Sequence, residues 1–156
     1  MLSQTLTDSY IRVASQTHAI IEAYLAPLYD LSVRLWVGLV FWRSGVEKAK
    51  DWDTTLLLFQ EEYQLPILPP DVAAVLGMAT EVSMPILLFV GFAARLASLP
   101  LIVLTCVIQF VLGASMPAYD STEHFYWLFL LGSIVVRGPG KLSLDYVLAK
   151  RTGLTK

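Results

Sequence analysis

The stretch RLWVGLVFWRSGVEK, residues 34–48, combines the apolar character of a membrane helix with four ionisable side chains. A helix needs about 20 mostly apolar residues to cross the hydrocarbon core of a bilayer, and residues 29–48 come close to this. An ionisable group at mid-membrane costs about 2.5–3.5 kcal/mol on insertion scales, so it normally faces protein or water and has a partner. The stretch therefore predicts a membrane span that packs against other helices.

The overall composition is also that of a membrane protein. The 156 residues are 56% hydrophobic and 15% charged, whereas a soluble domain is about 45–50% apolar and about 25% charged. The net charge of −2 gives no electrostatic reason to expect a nucleic-acid partner. The single cysteine, Cys106, rules out an intrachain disulfide, a CxxC pair and a cysteine zinc site. No positively charged segment precedes an apolar core at the start, so no signal peptide is expected.

Four apolar stretches predict an all-α integral membrane four-helix bundle. They are roughly residues 29–48, 71–91, 95–114 and 122–137. The fourth is short enough for a re-entrant segment. We nevertheless expect a span, because Glu123, His124 and Arg137 can sit at the two interfaces. The tight turn VGFAAR (90–95) predicts that the second and third spans form an antiparallel hairpin.

Two further segments flank the first span. Apolar residues recur at steps of three and four in residues 1–27, which predicts an amphipathic helix; they are Leu6, Tyr10, Val13, Thr17, Ile20 and Tyr24, continued by Leu28. This helix either lies on the membrane surface or extends into solvent and packs on the bundle. After the first span, residues 53–63 predict a short helix. Pro66, Pro69 and Pro70 then predict an extended strap over the mouth of the bundle.

The distribution of lysine and arginine predicts the orientation. One side of the membrane would hold Arg12, Arg95, Arg137, Lys141, Lys150, Arg151 and Lys156. The other side would hold only Lys48 and Lys50. Both termini should therefore be cytoplasmic, with the strap and the loop 115–123 facing outward. Residues 28–146 would form the membrane domain and residues 147–156 a cytoplasmic tail.

One face of the first span carries two cations and two glycines. Within about 80° of arc lie Arg34, Gly38, Phe41, Gly45 and Lys48. Glu81, near the middle of the second span, is the expected partner of Arg34. If the two spans are antiparallel, Glu81 lies within about 6–10 Å axially of Arg34 or Arg43. The two glycines suit intrachain packing and dimerisation equally well.

Other ionisable and polar residues extend this candidate charge network. Arg43 and Glu47 form an i,i+4 pair expected near the outer interface, and Gln109 would complete the network around Glu81. Arg95 and Lys48 are the residues best suited to snorkel toward an interface. Two interpretations stay open. The charges either fix the register of the bundle or line a polar pocket that binds a head group, a quinone, an anion or a proton.

Metal binding and aromatic contacts are further candidate features. No metal site is expected, because His124 beside Glu123 lacks a second close histidine and a stable site usually needs three or four ligands. Five aromatic residues are expected in an outer interfacial belt, with stacking on a quinone ring as the alternative. They are Trp42, Trp52, Tyr119, Tyr126 and Trp127.

Three blocks of the sequence resemble the DoxX family of small bacterial membrane proteins. They are the pattern R34…G38..F41...G45..K48, the segment LGMATEVSMPILLFVGFAAR (76–95) and the ending GPGKLSLD (138–145). The resemblance covers about residues 30–146 and implies a four-helix bundle in the bacterial inner membrane. It carries over Arg34, Gly38, Gly45, Lys48, Glu81, Arg95, Gly138, Gly140 and Asp145 as residues of structure or of a pocket.

The resemblance implies two candidate functions, and the acidic residue Glu81 in the second span adds a third. Some relatives are subunits of a thiosulfate:quinone oxidoreductase and others look like membrane anchors, so the first candidate is an auxiliary subunit or anchor of a quinone-linked redox system. Quinone is then the one candidate cofactor. The strap is similar to a subgroup linked to metal-associated modified peptides, which implies an accessory protein for their export or maturation. The third candidate is a small proton-coupled transporter with Glu81 as relay. The expected partners are the bilayer, a soluble redox or peptide-maturation protein, and a second copy of the chain.

Overall fold

The computed structural model describes residues 2–63, 65 and 68–153, with side chains described from residue 9 onward. Three residues used in the predictions above therefore lie outside the described residues. They are Pro66 of the strap, Lys156 of the charge count and the side chain of Leu6.

The described chain is helical, without strands. Its α-helices are α1 (Leu2–Ile20), α2 (Ala26–Lys50), α3 (Trp52–Glu61), α4 (Pro70–Val90), α5 (Ala94–Cys106), α6 (Gly113–Ser115), α7 (Thr122–Arg137) and α8 (Leu144–Arg151). Two π-helical turns, Ile21–Leu25 and Val107–Leu112, join α1 to α2 and α5 to α6. A 3₁₀ turn, Pro117–Tyr119, precedes α7. The four predicted apolar stretches correspond to α2, α4, α5 with α6, and α7, and the predicted short helix corresponds to α3.

Within the described part of the chain, three helices are long and apolar enough to cross a membrane: Ser9–Lys50, Pro70–Val90 and Ala94–Ser115. Only 33% of the most apolar segment of each is buried inside the protein. Leu96 and Val103 are 68% and 62% exposed. Apolar surface of this extent costs free energy in contact with water, and on helices of this length it is typical of surface that faces lipid. The protein is therefore an integral membrane protein.

The helices α2 and α4 are antiparallel and in very close contact. A Cβ atom built on Gly45 would lie 2.8 Å from the Cβ of Glu81, and one built on Gly38 would lie 2.6 Å from the Phe89 ring. These glycines therefore serve packing within the chain, which is one of the two uses, intrachain packing or dimerisation, that the sequence left open. Around them, α4 packs on α5, α5 on α7 and α7 on α2. The core between these helices includes Val37, Phe41, Leu88, Leu101 and Leu131.

The turn between α4 and α5 is held by the start of α8. Gly91 has φ +70° and Ala93 φ +45°, so the chain reverses within a few residues and the predicted hairpin is present. The Asp145 carboxylate accepts hydrogen bonds from the backbone N–H groups of Ala93 (2.8 Å) and Ala94 (3.1 Å), which cap α5. Most of α8 lies in residues 147–156, the predicted cytoplasmic tail, for which no helix was predicted. Its N-cap Ser143, whose hydroxyl accepts from the Tyr146 N–H, is a signal that was overlooked.

The predicted amphipathic helix is present as α1, but it continues through the π-helical turn into α2. Its side chains from Ser9 onward are exposed, including Tyr10 at 75% and Val13 at 61%, so the helix projects from the bundle instead of packing on it. At the π-helical turn the Nζ of Lys141 donates to the carbonyl oxygen of Glu22 (2.7 Å). A π turn interrupts the regular α-helical hydrogen bonding, and this contact ties the turn to the loop before α8.

Candidate functional site

A cavity of about 590 Å³ lies between α2, α4, α5 and α7, beneath α3 and the residues that follow it. Its walls are mostly apolar and include Val40, Phe41, Leu104, Ile108 and Leu112. The volume falls within the range of about 300–1,000 Å³ that is usual for small-molecule sites. The cavity is therefore large enough to hold a ring-sized ligand.

An ion pair lies in the wall of this cavity. The Nζ of Lys48 is 2.7 Å from the Oε2 of Glu81 and also donates to the Oγ of Ser44 at 2.7 Å. The Lys48 and Glu81 side chains are only 17% and 4% exposed. Because Ser44 precedes Lys48 by one helical turn on α2, both face α4. The structure thus places two opposite charges, largely out of water, beside an apolar space.

The predicted pairing of Arg34 with Glu81 is wrong. The fully buried Arg34 guanidinium donates to the carbonyl oxygens of Leu88 (2.8 Å) and Leu142 instead. The reason is axial position: Gly45 packs on Glu81, and Arg34 lies about 16 Å farther along α2, at a rise of 1.5 Å per residue. Arg34 therefore joins α2, α4 and the loop before α8 at the opposite end of the bundle from the cavity.

A second polar cluster lies near α7, and Gln109 belongs to it. The Gln109 Nε2 donates to the Oδ1 of Asp120 (2.6 Å), and its Oε1 accepts from the Ser121 N–H (3.3 Å) and faces the His124 Nδ1 (2.7 Å). An amide oxygen only accepts, so the His124 Nδ1 carries a hydrogen and the Nε2 of the neutral ring is an acceptor. Gln109 therefore does not complete a network around Glu81 as predicted. His124 and Glu81 instead line the same cavity from different helices.

Two tyrosines lie at the end of the cavity nearest α3. The Tyr63 and Tyr119 rings meet edge to face with centroids 5.1 Å apart, and the Tyr119 hydroxyl donates to the Glu62 carboxylate at 3.1 Å. Burial raises the pKa of both Tyr63 and Tyr119. Their hydroxyl groups therefore stay protonated at neutral pH and can donate hydrogen bonds at the mouth of the cavity.

Comparison with known proteins assigns the chain to a family. A sequence model of the DoxX family matches residues 29–114, which is more than half of the chain. The chain belongs to the DoxX family. A Haemophilus influenzae protein, named only as an uncharacterized protein, is 28% identical over 129 residues, covering 77% of this chain and 83% of that protein. No solved structure matches the chain. In this DoxX protein the family match includes the Lys48–Glu81 wall of the cavity and Gln109, whereas His124 lies beyond it.

Besides Arg34, four predicted site residues of this DoxX protein lie away from the cavity. Arg43, Glu47, Arg95 and Glu123 are exposed, and within the described chain Arg43 and Glu47 form no ion pair. Four further residues of the cavity wall or of the Gln109 cluster were not predicted from the sequence: Ser44, Thr80, Tyr63 and Asp120. Ser44 could have been found, since it lies one helical turn from Lys48.

The aromatic residues divide between the cavity and the outer surface of the protein. Trp127 lines the cavity and meets the rings of Phe41 and His124 at centroid distances of 5.7 and 4.9 Å. Tyr126 on the same helix is 61% exposed, as expected for an interfacial belt.

Over the residues that the structure describes, no three His, Cys, Asp or Glu side chains are grouped as metal ligands.

Proposed function

We propose that this DoxX protein is an auxiliary subunit or membrane anchor of a quinone-linked redox system and that its cavity holds the quinone head group. The observation that carries the proposal is an apolar cavity of about 590 Å³, inside a membrane protein, with the Lys48–Glu81 pair and His124 in its wall. A lipid-soluble ring with a few polar substituents matches such a lining.

The donors and the apolar walls fit a quinone ring. A lysine ammonium group has three donor hydrogens, and Lys48 uses two of them on Ser44 and Glu81. The third is available for a ring carbonyl, as is the Tyr63 hydroxyl, whereas the Tyr119 hydroxyl already donates to Glu62. When bound, a quinone would supply electron-acceptor chemistry, and the residues of this chain would bind the ring, orient it and exclude water.

An opening between α4 and α5 would admit the ligand from the bilayer. Leu76 on α4 and Val103 on α5 both line the cavity, and they are also 53% and 62% exposed. A side chain that borders both the cavity and the outer surface marks the rim of an opening. A quinone dissolved in lipid would enter here, with its isoprenoid tail remaining among acyl chains.

In the proposed topology α7 is the fourth span and both termini are cytoplasmic in a bacterial inner membrane. The 16 residues of α7 extend about 24 Å, somewhat less than a hydrocarbon core of about 30 Å. A short span is accommodated by local bilayer thinning and by flanking residues that reach the interface. The excess of lysine and arginine at the end with Arg95 and Arg137 supports the orientation.

Labelling of single cysteines tests this topology. In a Cys106→Ser background, Ala118→Cys should react with an impermeant maleimide in intact spheroplasts, and Lys150→Cys only after permeabilisation. The reverse pattern would invert the orientation. Reaction of both residues from outside would show that α7 does not cross the membrane.

Binding of a short-chain quinone to the protein in nanodiscs tests the ligand. We expect saturable quenching of tryptophan fluorescence, and at least about tenfold weaker binding for Val103→Trp, because the larger ring fills the opening. Leu96→Trp is the matched control, since Leu96 is exposed on the same helix but does not line the cavity. Equal binding by both variants, or no saturable binding by the natural protein, would refute the proposal. Mass spectrometry after gentle extraction should also recover quinone and a redox partner.

A proton-coupled carrier is the second candidate, because Glu81 is a buried carboxyl group of a spanning helix beside a cavity. Flux in proteoliposomes that disappears in Glu81→Gln, without quinone binding, would favour it over the redox role. The accessory role in maturation of a metal-linked peptide stays a prediction from the resemblance. Co-purification of such a peptide, without turnover, would support it.

A further inference from the structure

A second cavity of about 310 Å³ lies at the other end of the bundle, near the loop between α7 and α8. Three basic residues from different parts of the chain line it: Arg95 at the start of α5, Arg137 at the end of α7, and Lys141 in the loop. This end carries the excess of basic residues that the orientation analysis identified. Its cations therefore converge on one concave site.

Each of these cations has donor groups to spare. In the part of the chain that the structure describes, Arg95 makes no hydrogen bond or ion pair. Its guanidinium instead lies against Gly138, where an added Cβ would be 3.0 Å from the Nη2. Lys141 uses one of its three hydrogens on the Glu22 carbonyl oxygen. Arg95 and Lys141 can thus both donate to an acceptor placed between them.

Acidic residues also line this cavity, but two of the three already have partners. The Asp145 carboxylate accepts from the backbone N–H groups that cap α5. Asp30 accepts from the Nε of Arg137 at 3.3 Å. Glu22 is exposed on the π-helical turn. Unpaired donors therefore remain at Arg95, at Lys141 and on the two Nη groups of Arg137, so the local preference is for an anion.

The neighbouring helix α8 presents an apolar surface beside this basic site. Asp145, Tyr146 and Ala149 line the cavity. On other sides of the helix, Leu144, Val147 and Leu148 are 38%, 43% and 41% exposed. A helix with one polar face and one exposed apolar face is suited to the membrane interface. An anion held at this cavity would therefore have hydrocarbon next to it.

We propose that this cavity binds the phosphate head group of an anionic phospholipid. Arg95 and Lys141 donate to the phosphate oxygens, and an acyl chain lies along Leu144, Val147 and Leu148. Arginine presents a planar fork of donors that matches phosphate, and basic pockets between membrane helices on the cytoplasmic side bind lipid head groups. The site is separate from the quinone cavity, so the two proposals stand or fall independently.

Lipid titration tests the site. The full-length protein is placed in nanodiscs of phosphatidylcholine alone or mixed with phosphatidylglycerol, and native mass spectrometry counts the retained phosphatidylglycerol. Arg95→Gln and Lys141→Gln should each weaken its retention, on the order of fivefold, whereas Arg95→Lys should weaken it less. Lys150→Gln is the matched control, because it removes the same charge from α8 at a residue that does not line the cavity.

Three results would overturn the proposal. Equal weakening by Lys150→Gln and Arg95→Gln would show general surface attraction instead of a site. Unchanged retention in both cavity variants would exclude these residues as ligands. Thermal stabilisation in phosphatidylcholine by inorganic phosphate alone, abolished in Arg95→Gln, would show a free-anion site. The unfolding midpoint in phosphatidylcholine verifies that each variant folds. If Arg95→Gln does not fold, the result for Lys141→Gln decides the test.

Discussion

The Nζ of Lys48 lies 2.7 Å from the Oε2 of Glu81, at a level where α2 and α4 are separated only by Gly45. The close approach of the two helices and the ion pair depend on each other, since a longer distance between the helix axes would separate the charges. The pair also forms part of the wall of the larger cavity. The same contact therefore determines helix register and the polarity of the candidate site.

Glu81→Gln should lower the free energy of unfolding by about 3 kcal/mol, because it leaves the Lys48 ammonium largely buried without a counter-charge. The double variant Lys48→Met/Glu81→Met should be more stable than Glu81→Gln, since it removes both charges. Denaturant titration in mixed micelles measures both values. If the double variant loses the sum of the effects of Lys48→Met and Glu81→Met measured singly, the two charges do not interact.

Gly45→Ala should destabilise the protein by about 1–3 kcal/mol, because the added methyl group would overlap the Glu81 backbone, 2.9 Å away. Gly132→Ala on α7 is the matched control, with no atom within 4 Å of the added carbon. Alanine is the better helix former, by about 1 kcal/mol, so this control should be neutral or stabilising. Equal losses in the two variants would argue against the close contact of α2 with α4.

Asp145→Ala should cost about 1–2 kcal/mol of unfolding free energy, because two backbone N–H groups at the start of α5 lose their acceptor. Asp71→Ala provides the comparison, since Asp71 is an exposed acid in the first turn of α4. It should cost only the helix-dipole contribution of about 0.3–1 kcal/mol. A loss in Asp145→Ala no larger than in Asp71→Ala would show that the cap contributes little.

Stability should fall in alkaline solution because of Tyr63. Burial raises the pKa of Tyr63 in the folded protein, while the unfolded chain ionises near pH 10. Above about pH 10 the unfolded state therefore binds fewer protons than the folded state, and the free energy of unfolding decreases as pH rises. Below that pH the contribution of Tyr63 is fully present.

Unfolding midpoints measured across this pH range should show a shallower decline for Tyr63→Phe than for the natural protein. Tyr126→Phe serves as the control, because Tyr126 is 61% exposed. Parallel curves for the natural protein and Tyr63→Phe would show that the ring is not buried at the mouth of the cavity.

Local patterns predicted the helices well. Apolar stretches of nearly bilayer length located α2, α4, α5 and α7, and the glycine and the small residues of VGFAAR located the hairpin turn. Such features depend on residues close in sequence, and the lipid environment requires every span to satisfy its own backbone hydrogen bonds. The π-helical turn at Gln109 was not predicted, because its composition is that of an ordinary helix.

The partners of the charged residues could not be predicted in the same way, because they depend on contacts between helices. The sequence placed Arg34 and Lys48 on one face of α2 and Glu81 on α4, and it established that buried charges need partners. Only the tertiary structure decided that Lys48 binds Glu81 while Arg34 binds two backbone carbonyl oxygens. Arg34 would lie level with Glu81 only if α2 slid past α4 by about 16 Å, about three turns of helix, and no local pattern in either helix distinguishes the two registers. That register is set by how Gly38 and Gly45 pack on α4, which is a property of two surfaces in contact and not of either segment alone.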